Sequence, residues 1–258
     1  MTEDQEFLPE QYTVLARHYD ELTFDVDYDG YAKGLGLLFE KYRVPKGGSV
    51  LELACGTGSL TQRLCEMGYN VTACDISYDM LSMAEQKCRE LENKPSFLCC
   101  DMCELELWDK ADACVCALDS INYLTDAHKL KKAFKAINRS ICAGGLFVFD
   151  IKTKAMFEEM SGQSAVWENE RLFAAWQYGY DKRSGRAAHI IDIFEKEGGI
   201  YHRYGEEHFQ RAYPLEKIKE MLALTGFETA GVYKNMKGSR AQREEGRLFI
   251  AAIKKREC

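Results

Sequence analysis

The sequence predicts an α/β fold: a mostly parallel sheet covered by helices on both faces, with a small antiparallel β insertion. Three observations predict it. Short apolar runs alternate with amphipathic helical segments between residues 49 and 151, which is the pattern of a doubly wound parallel sheet. That alternation stops after residue 160, where strand-like segments rich in Trp, Tyr, Phe and Ile follow one another. The alternation returns at Pro214, which is predicted to begin a helix because proline is favoured in the first helical turn.

The alternating region begins after two predicted N-terminal helices. Local signals mark the helix ends: Pro45 follows the second helix, Gly68 ends the third and Ser77 can cap the fourth. A parallel sheet then requires right-handed connections between its strands. The predicted helices cover residues 5–21, 28–43, 59–67, 78–92 and 126–141, and the predicted strands cover 49–53, 70–74, 96–100, 112–118 and 145–151.

The insertion is predicted to be a three-stranded antiparallel sheet. Turn signals at 181–185 and at Gly198-Gly199 separate its strand-like segments. The three predicted strands cover residues 165–178, 187–196 and 200–211.

The C-terminal segment completes the main sheet in this prediction. The helix that starts at Pro214 ends at Gly226, and two last strands follow at 227–234 and 247–254. The sheet then has seven strands, the last of them antiparallel. The predicted organisation is 1–160 for the N-terminal helices and the ligand-binding core, 161–213 for the insertion and 214–258 for the C-terminal helix and last strands.

The most informative motif is the run Val50 to Gly58, read together with Asp75. An apolar strand ends in a small-residue turn, a helix follows at once, and Asp75 ends the next predicted strand. Gly56 and Gly58 let the backbone approach a ligand closely, and the helix N-terminus directs free N–H groups towards it. An acid at the tip of the second strand can accept hydrogen bonds from ribose hydroxyls. The unit therefore predicts binding of an adenosine-containing cofactor.

The segment Glu52-Leu-Ala-Cys-Gly56-Thr-Gly58 is similar to motif I of the class I S-adenosylmethionine-dependent methyltransferases. Ala54 stands where many members have the first glycine, which keeps a small residue there. The resemblance implies a Rossmann-like fold and S-adenosyl-L-methionine as the cofactor.

Other segments along the chain extend the resemblance. Asp101-Met102 resembles the adenine-contacting pair of the family, Asp119 to Leu124 its motif IV and Gly144 to Asp150 its fifth strand. The opening Tyr19 to Thr23, with Asp27-Tyr28, resembles small bacterial methyltransferases of the cypemycin and glycine N-methyltransferase type.

The predicted cofactor site combines the motif with these segments. Asp75 is predicted to bind the ribose, and Ile76 and Met102 to enclose the adenine. For Glu52, a structural role in holding the glycine turn and a direct cofactor contact both remain open. The cofactor-binding residues predicted are Tyr19, Glu52, Ala54, Gly56, Gly58, Asp75, Ile76, Met80, Asp101, Met102, Leu118, Asp119 and Tyr123.

The acceptor side is predicted from the end of the fourth strand and from the insertion. Ligands of open α/β sheets bind outside the carboxyl ends of the strands, and Asp119, Asn122 and Tyr123 follow such an end. The sequence leaves open which face of the last insertion strand lines the cleft. The predicted catalytic residues are Asp119, Tyr123 and His208, and the predicted substrate-binding residues are Tyr28, Asn122, Glu206, Arg211 and Tyr213.

Composition narrows the partners. A net charge of −7 without a basic stripe argues against a nucleic-acid substrate. The acidic N-terminus does not resemble a signal peptide, and no apolar run approaches the ~20 residues of a membrane span. Eleven cysteines, many inside predicted elements, are typical of a reducing compartment, so we expect a cytoplasmic protein. The Cys-x-x-Cys at 100–103 lacks a second ligand pair, so no metal site is predicted.

The sequence therefore predicts methyl transfer from S-adenosylmethionine to N or O of a small molecule, by in-line displacement. Two alternatives within other substrate or enzyme classes are a methyltransferase of RNA or protein and a nicotinamide-dependent oxidoreductase. Thr61 stands in place of the third glycine of the dinucleotide fingerprint, which argues against the latter. A cofactor-binding regulator without activity is a third alternative. Both a monomer and a homodimer are compatible with the sequence.

Overall fold

The structure is a computed structural model that describes residues 12–236, 238–241 and 245–256. Its core is a seven-stranded sheet with the order β10-β11-β5-β4-β1-β2-β3. All neighbours pair in parallel except β11, which runs antiparallel to both β5 and β10. The strands are β1 (Ser49–Leu53), β2 (Asn70–Asp75), β3 (Ser96–Cys99), β4 (Ala111–Cys116), β5 (Ile141–Lys152), β10 (Phe227–Tyr233) and β11 (Arg247–Lys254).

Alternate residues of these strands face two separate hydrophobic layers. Leu51 and Phe147 face one layer, which α5 and α7 cover, whereas Val50 and Val148 face the other, which α2 and α3 cover. Burial on both faces explains the nearly continuous apolar runs of the strands. The helices are α1 (Val14–Leu22), α2 (Tyr28–Lys41), α3 (Ser59–Glu66), α4 (Tyr78–Cys88), α5 (Ala127–Ser140), α6 (Lys154–Met160) and α7 (Leu215–Leu224).

The topology places a crevice between β1 and β4. From β1 the chain continues to β2 and β3 on one side, whereas β4 and β5 lie on the other. The direction of the strand order therefore reverses between β1 and β4, which pair through Glu52 and Val115. In open α/β sheets, ligands bind at such a reversal, outside the carboxyl ends of the strands. The predicted doubly wound sheet of seven strands is confirmed.

The insertion has four antiparallel strands, so the prediction of three is wrong. Residues 165–178, predicted as one strand, form two strands joined by a tight turn at Asn169. The Asn169 side chain accepts hydrogen bonds from the backbone N–H groups of Arg171 and Leu172, which reverses the chain. The strands are β6 (Ser164–Glu168), β7 (Leu172–Asp181), β8 (Arg186–Glu197) and β9 (Ile200–Arg211).

The inward face of β9 carries Glu206, His208 and Gln210, all buried, whereas Glu207 and Phe209 are exposed. This settles the face that the sequence left open. Helix α1 packs on the same sheet, since its buried leucines share a hydrophobic cluster with residues of β7 and β8.

The structure differs from the predicted elements in smaller ways. Strand β5 begins at Ile141, because this residue pairs with Ala111 directly after α5 ends. Helix α6 had no counterpart in the prediction. The part of the predicted helix 5–21 before residue 12, and the acidic start of the chain, lie outside the described residues. No helix in the described ranges is long and apolar enough to cross a membrane.

Candidate active site

The loop after β1 presents bare backbone to the crevice. Ala54, Gly56 and Gly58 have left-handed φ angles of +50°, +55° and +78°. A Cβ atom on Gly56 would find only Met80 Sδ within reach, at 4.0 Å, so a ligand can approach the backbone there. A Cβ atom on Gly58 would come within 2.9 Å of the Ala84 side chain, so this glycine permits α3 and α4 to pack. The N-terminus of α3 follows directly and directs free N–H groups towards the same space.

Asp75 lies at the tip of β2, next to this loop. Its Oδ2 accepts a hydrogen bond of 2.9 Å from the Gly56 N–H, and its Oδ1 accepts one of 2.9 Å from the Ser77 N–H. Burial raises the pKa of Asp75, although the hydrogen bonds from Ser77 and Gly56 oppose that shift. Each oxygen keeps a lone pair for a ligand hydroxyl. Beside it, the apolar Ile76 is 68% exposed.

The turn after β3 is joined to the same strand tip. The Cys100 N–H donates to the carbonyl oxygen of Asp75 at 3.0 Å, which brings Asp101 close to Asp75. Asp101 Oδ1 accepts from the Cys103 N–H at 2.8 Å, and Met102 packs partly buried against the core. The two predicted adenine contacts therefore lie beside the predicted ribose contact.

Glu52 is buried below the glycine loop. Its Oε2 accepts a hydrogen bond of 2.6 Å from the hydroxyl of Thr61, which replaces the third glycine of the dinucleotide fingerprint. Burial raises the pKa of Glu52 to about 8, despite the hydrogen bond from Thr61. These contacts support the structural role of Glu52, and its direct contact with the cofactor stays a prediction.

A second polar cluster fastens α1 to the glycine loop. Asp20 Oδ1 accepts from the hydroxyls of Thr57 at 2.6 Å and Ser59 at 3.3 Å. Lys87 Nζ lies 2.7 Å from Asp20 Oδ2 and donates to both hydroxyls. The sequence did not identify Lys87, because a lysine on an amphipathic helix carries no local signal of this partnership.

The segment after β4 carries Asp119 in an unusual backbone conformation. Leu118 and Asp119 both have left-handed φ angles, +56° and +53°, and a 3-10 turn follows over Ser120–Tyr123. This turn directs the Asp119 carboxylate inward. Its Oδ2 accepts from Gln210 Nε2 at 2.7 Å and lies 3.0 Å from Lys152 Nζ.

Arg247 of β11 joins Asp119 to a second buried acid. Its Nη2 lies 2.7 Å from Asp119 Oδ1, and its Nη1 is paired with Asp150 Oδ2. Burial would raise the pKa of Asp119, but Lys152 and Arg247 outweigh it and lower the pKa. For Asp150, burial raises the pKa to about 6 although Arg247 opposes the shift. Asp119 is thus an ionised acceptor of hydrogen bonds, and the sequence missed both Arg247 and Asp150.

Three of the predicted substrate-binding side chains bond to backbone atoms. Asn122 Nδ2 donates to the carbonyl oxygens of Lys152 at 3.0 Å and Arg211 at 2.8 Å, and its Oδ1 accepts from the Lys152 N–H. Arg211 Nη1 donates to the Thr125 carbonyl at 3.0 Å, and the Tyr213 hydroxyl donates to the Leu124 carbonyl. These bonds hold the end of β9 against the turn after β4. They place the three residues around the site, and their contact with an acceptor stays a prediction.

Four residues of the site form a closed hydrogen-bonded ring, which includes the backbone N–H of the first: Tyr12, Tyr123, His208 and Glu206. The hydroxyls of Tyr12 and Tyr123 lie 2.6 Å apart, and the Tyr123 hydroxyl lies 3.3 Å from His208 Nδ1. His208 Nε2 lies 3.0 Å from Glu206 Oε2, which also accepts from the Tyr12 N–H at 2.8 Å. Burial would raise the pKa of Glu206, but His208 and the N–H groups of Leu15 and Tyr12 lower it. The carboxylate is therefore ionised.

His189 extends this wall of the site and was not predicted as part of it. It stands directly opposite His208 in the pairing of β8 with β9. Its ring centroid lies 5.1 Å from that of Tyr178. Burial, with Lys152 nearby, lowers the pKa of His189 to about 4, so its imidazole is neutral. The signal was available only as the odd-numbered parity of β8, which the sequence alone does not orient.

The two predicted tyrosines of the N-terminal helices lie at different places. The aromatic ring of Tyr19 contacts that of Tyr12, a member of the hydrogen-bonded ring, with centroids 6.1 Å apart. Burial raises the pKa of Tyr19. The guanidinium of Arg63 lies over the ring of Tyr28, 5.6 Å from the ring centroid. Burial raises the pKa of Tyr28 to about 12. Tyr19 thus borders the acceptor side of the crevice, and Tyr28 lies near α3.

Comparisons with known proteins agree with this geometry. A family model described as "Methyltransferase domain" matches residues 50–145. The chain is 34% identical over 248 residues to the Bacillus subtilis protein named "Putative methyltransferase YqeM", which covers 94% of this chain and 97% of that protein.

Solved methyltransferase structures have the same fold as this chain. An S-adenosylmethionine-dependent methyltransferase from Clostridium acetobutylicum superposes with a TM-score of 0.84 at 29% identity, covering 96% of this chain and 100% of the other. The sugar N-methyltransferase KedS8 from Streptoalloteichus superposes with a TM-score of 0.76 at 22% identity, covering 99% of this chain and 97% of that chain.

The glycine loop, the acid at the tip of β2 and the extent of these matches support a single conclusion. They confirm the predicted family, enzyme class and cofactor. This chain belongs to the class I S-adenosylmethionine-dependent methyltransferases, enzymes that use S-adenosyl-L-methionine as their cofactor.

Proposed function

We propose that this enzyme methylates N or O of a small-molecule acceptor and that His208 removes the acceptor's proton. One observation carries the proposal: a buried imidazole stands beside the turn after β4, with a carboxylate behind it and a tyrosine hydroxyl in front. The carboxyl end of β4 lies at the crevice, where ligands of this fold bind.

The residues present fit S-adenosylmethionine. Space beside Gly56, the remaining lone pairs of Asp75 and the exposed Ile76 suit backbone contact, ribose hydroxyls and an adenine face respectively. The bound cofactor supplies an electrophilic methyl group on a sulfonium. The protein then has to orient the acceptor, exclude water and take up one proton.

The partners of His208 determine which nitrogen can accept that proton. Glu206 is ionised and can only accept hydrogen bonds, so His208 Nε2 carries the hydrogen and Nδ1 carries the lone pair. The Tyr123 hydroxyl, 3.3 Å from Nδ1, can donate to it and accept a proton from the acceptor in the same step. Protonated His208 would be stabilised by the Glu206 carboxylate.

Gln210 indicates a second property of the acceptor. Its Nε2 must face the ionised Asp119, which can only accept, so the orientation of the amide is determined. That leaves the buried Gln210 Oε1 without a hydrogen-bond partner among the described residues. A buried acceptor without a partner costs about 1–3 kcal/mol. An acceptor molecule that offers an N–H or O–H group would satisfy it.

Structural neighbours act on molecules of this kind. KedS8 is named a sugar N-methyltransferase, and CalS10, with a TM-score of 0.71, is named an amino pentose methyltransferase. Amino sugars carry both a nucleophilic amine and adjacent hydroxyl donors. We therefore place them first among the acceptors to be tried.

The test measures formation of S-adenosylhomocysteine by the purified enzyme. The arms contain amino sugars, neutral sugars, total RNA or denatured protein. We expect turnover only in a sugar arm. Turnover confined to RNA or protein would contradict the proposed acceptor class.

A variant then tests the base. With the active acceptor, His208→Gln should lower kcat by ~10²–10⁴, the usual contribution of general base catalysis, with unchanged cofactor affinity. His202→Gln is the matched control on the same strand, because its side chain is 42% exposed and pairs with Glu197. Equal kcat values for His208→Gln and the control would rule out His208 as the base.

A further inference from the structure

We infer that Glu206 is a positioning residue that couples docking of α1 to the orientation of His208. His208 is then oriented to act as the base only when α1 is docked on the insertion. The inference rests on the proposed role of His208, but its contacts are independent of the acceptor. One carboxylate binds both the first turn of α1 and the imidazole.

The first contact is a helix cap supplied from the insertion. Glu206 accepts hydrogen bonds from the backbone N–H groups of Tyr12 at 2.8 Å, Thr13 at 3.2 Å and Leu15 at 3.1 Å. The N-cap residue Thr13 makes no capping bond with its own side chain. Free N–H groups and the positive end of the helix dipole both favour a carboxylate at this position. Glu206 therefore replaces the missing local cap.

The second contact uses the same oxygen as the Tyr12 N–H. Glu206 Oε2 lies 2.8 Å from that nitrogen and 3.0 Å from His208 Nε2. From His208 the hydrogen bonds continue through Tyr123, whose hydroxyl lies 2.6 Å from that of Tyr12 next to the start of α1. The rings of Tyr12 and His208 also make an edge contact, with centroids 4.6 Å apart. Tyr12 thus contributes two groups to the hydrogen-bonded ring, its backbone N–H and its hydroxyl.

Burial makes these two contacts dependent on each other. Glu206 is 3% exposed and His208 is 1% exposed, so water cannot easily replace a lost partner. If α1 moves away, the carboxylate loses three donors and the Tyr123 hydroxyl loses Tyr12. Glu206 at Nε2 and Tyr123 at Nδ1 then each lack a contact that holds them in place. His208 thereby loses the orientation in which Nδ1 can accept a proton.

The other end of α1 reaches the cofactor loop. Asp20 binds the hydroxyls of Thr57 and Ser59 and the Lys87 ammonium. A helix of nine residues spans about 14 Å, so α1 connects the loop to the acceptor side. Changes at the cofactor loop can therefore reach His208 through α1 and Glu206.

The experiment uses the full chain with S-adenosylhomocysteine and two readouts. Hydrogen exchange reports the amides of Tyr12, Thr13 and Leu15, and ¹⁵N spectra of the histidine side chains report the tautomer of His208. Comparison with His208→Gln assigns the signal among the five histidines. Neither readout requires an acceptor, so failure of His208 as a base would leave both intact.

Glu206→Gln should change both readouts. The carboxylate uses both oxygens for its bonds to α1 and His208 Nε2, whereas the amide has one acceptor oxygen and an NH2 donor, so it cannot keep all of these bonds. We expect exchange of the three amides to be about tenfold faster, the effect of a lost helix cap, and the His208 hydrogen to move to Nδ1. No change in either readout, or a change in one alone, would contradict the coupling.

Asp20→Asn tests the coupling from the opposite end and also serves if Glu206→Gln does not fold. Its hydrogen bonds go to the cofactor loop and not to Glu206 or His208. We expect faster exchange of the same amides together with a changed His208 signal. Faster exchange with an unaltered His208 signal would show that α1 and the imidazole are independent.

Discussion

At the scale of single residues, backbone conformation and burial explain features that the motif alone does not. Ala54 and Gly56 share the left-handed conformation of the loop, but only glycine adopts it without strain. Glu52 is an acid of the motif, yet it makes its hydrogen bond to Thr61 inside the protein. Each leads to a measurable effect on stability.

Ala54→Gly should stabilise the protein. An L-residue at φ +50° costs roughly 1–2 kcal/mol that glycine avoids, partly offset by the larger backbone entropy of glycine. We expect a gain of up to about 1 kcal/mol in the free energy of unfolding, measured by urea titration. Ala133→Gly, in the interior of α5, is the control and should lose more than about 1 kcal/mol, because its methyl group is also buried in the core. A loss at Ala54 as well would refute the strain.

Glu52→Gln should reduce the pH dependence of stability. The pKa of Glu52 is about 8 in the folded protein and 4.5 in its reference state. A raised pKa stabilises the fold fully below the unfolded value and loses this contribution as pH rises towards the folded value. Each pKa unit corresponds to about 1.4 kcal/mol. Wild type should therefore lose stability between about pH 4.5 and 8.

The glutamine variant keeps the hydrogen bond to Thr61 but cannot ionise. Urea unfolding of both proteins without cofactor, at several values of pH across that window, measures the difference. The gap between their free energies of unfolding should change in favour of the variant as pH rises. Parallel pH profiles would show that Glu52 does not titrate in this range.

At the scale of elements, buried charges join strands that are distant in sequence. Arg247 at the start of β11 pairs with Asp119 after β4 and with Asp150 in β5. Asn122 joins the ends of β5 and β9 in the same region. The turn after β4 is thus held by groups from three other strands, which explains how two successive left-handed residues are maintained there.

Arg247→Met should destabilise the protein by about 3–5 kcal/mol, because two buried carboxylates lose their shared partner. The measurement is the free energy of unfolding in urea at neutral pH. Arg203→Met is the control: its pair with Asp192 is on the surface, with the arginine side chain 66% exposed, and should contribute less than about 1 kcal/mol. Similar losses in the two variants would exclude a special role for the buried network.

Adding Asp150→Asn to Arg247→Met should recover part of the loss. The second change removes one of the uncompensated charges while keeping similar volume. A double variant no more stable than Arg247→Met would locate the cost at Asp119 alone.

At the scale of the whole molecule, the crevice lies between two units that meet along α1. The sheet and its helices supply the cofactor loop, and the insertion supplies Glu206, His208 and Gln210. Helix α1 contacts both, through Asp20 at one end and through its first turn at the other. Its leucines pack on the insertion rather than on the main core. Helix α1 and the insertion therefore bound the site together.

The sequence by itself determined the alternation of strands and helices, the order of the core elements and the cofactor motif. These depend on local signals: apolar periodicity, caps such as Ser77, and the spacing of Gly56, Gly58 and Asp75. Such signals also placed Asp119 and Tyr123 at the carboxyl end of β4. The break at Asn169 was missed because one side-chain turn divides an otherwise continuous strand pattern.

Only the tertiary structure decided which of the predicted polar residues face the crevice and what they bind. Asn122 and Arg211 form hydrogen bonds to backbone atoms, whereas Glu206 binds both Tyr12, 194 residues away in the chain, and His208. Arg247, Lys87 and His189 acquire their roles from partners on distant elements. Sequence periodicity reports that a strand has two faces, but burial against α1 selects the face, since nothing local distinguishes one polar face from the other.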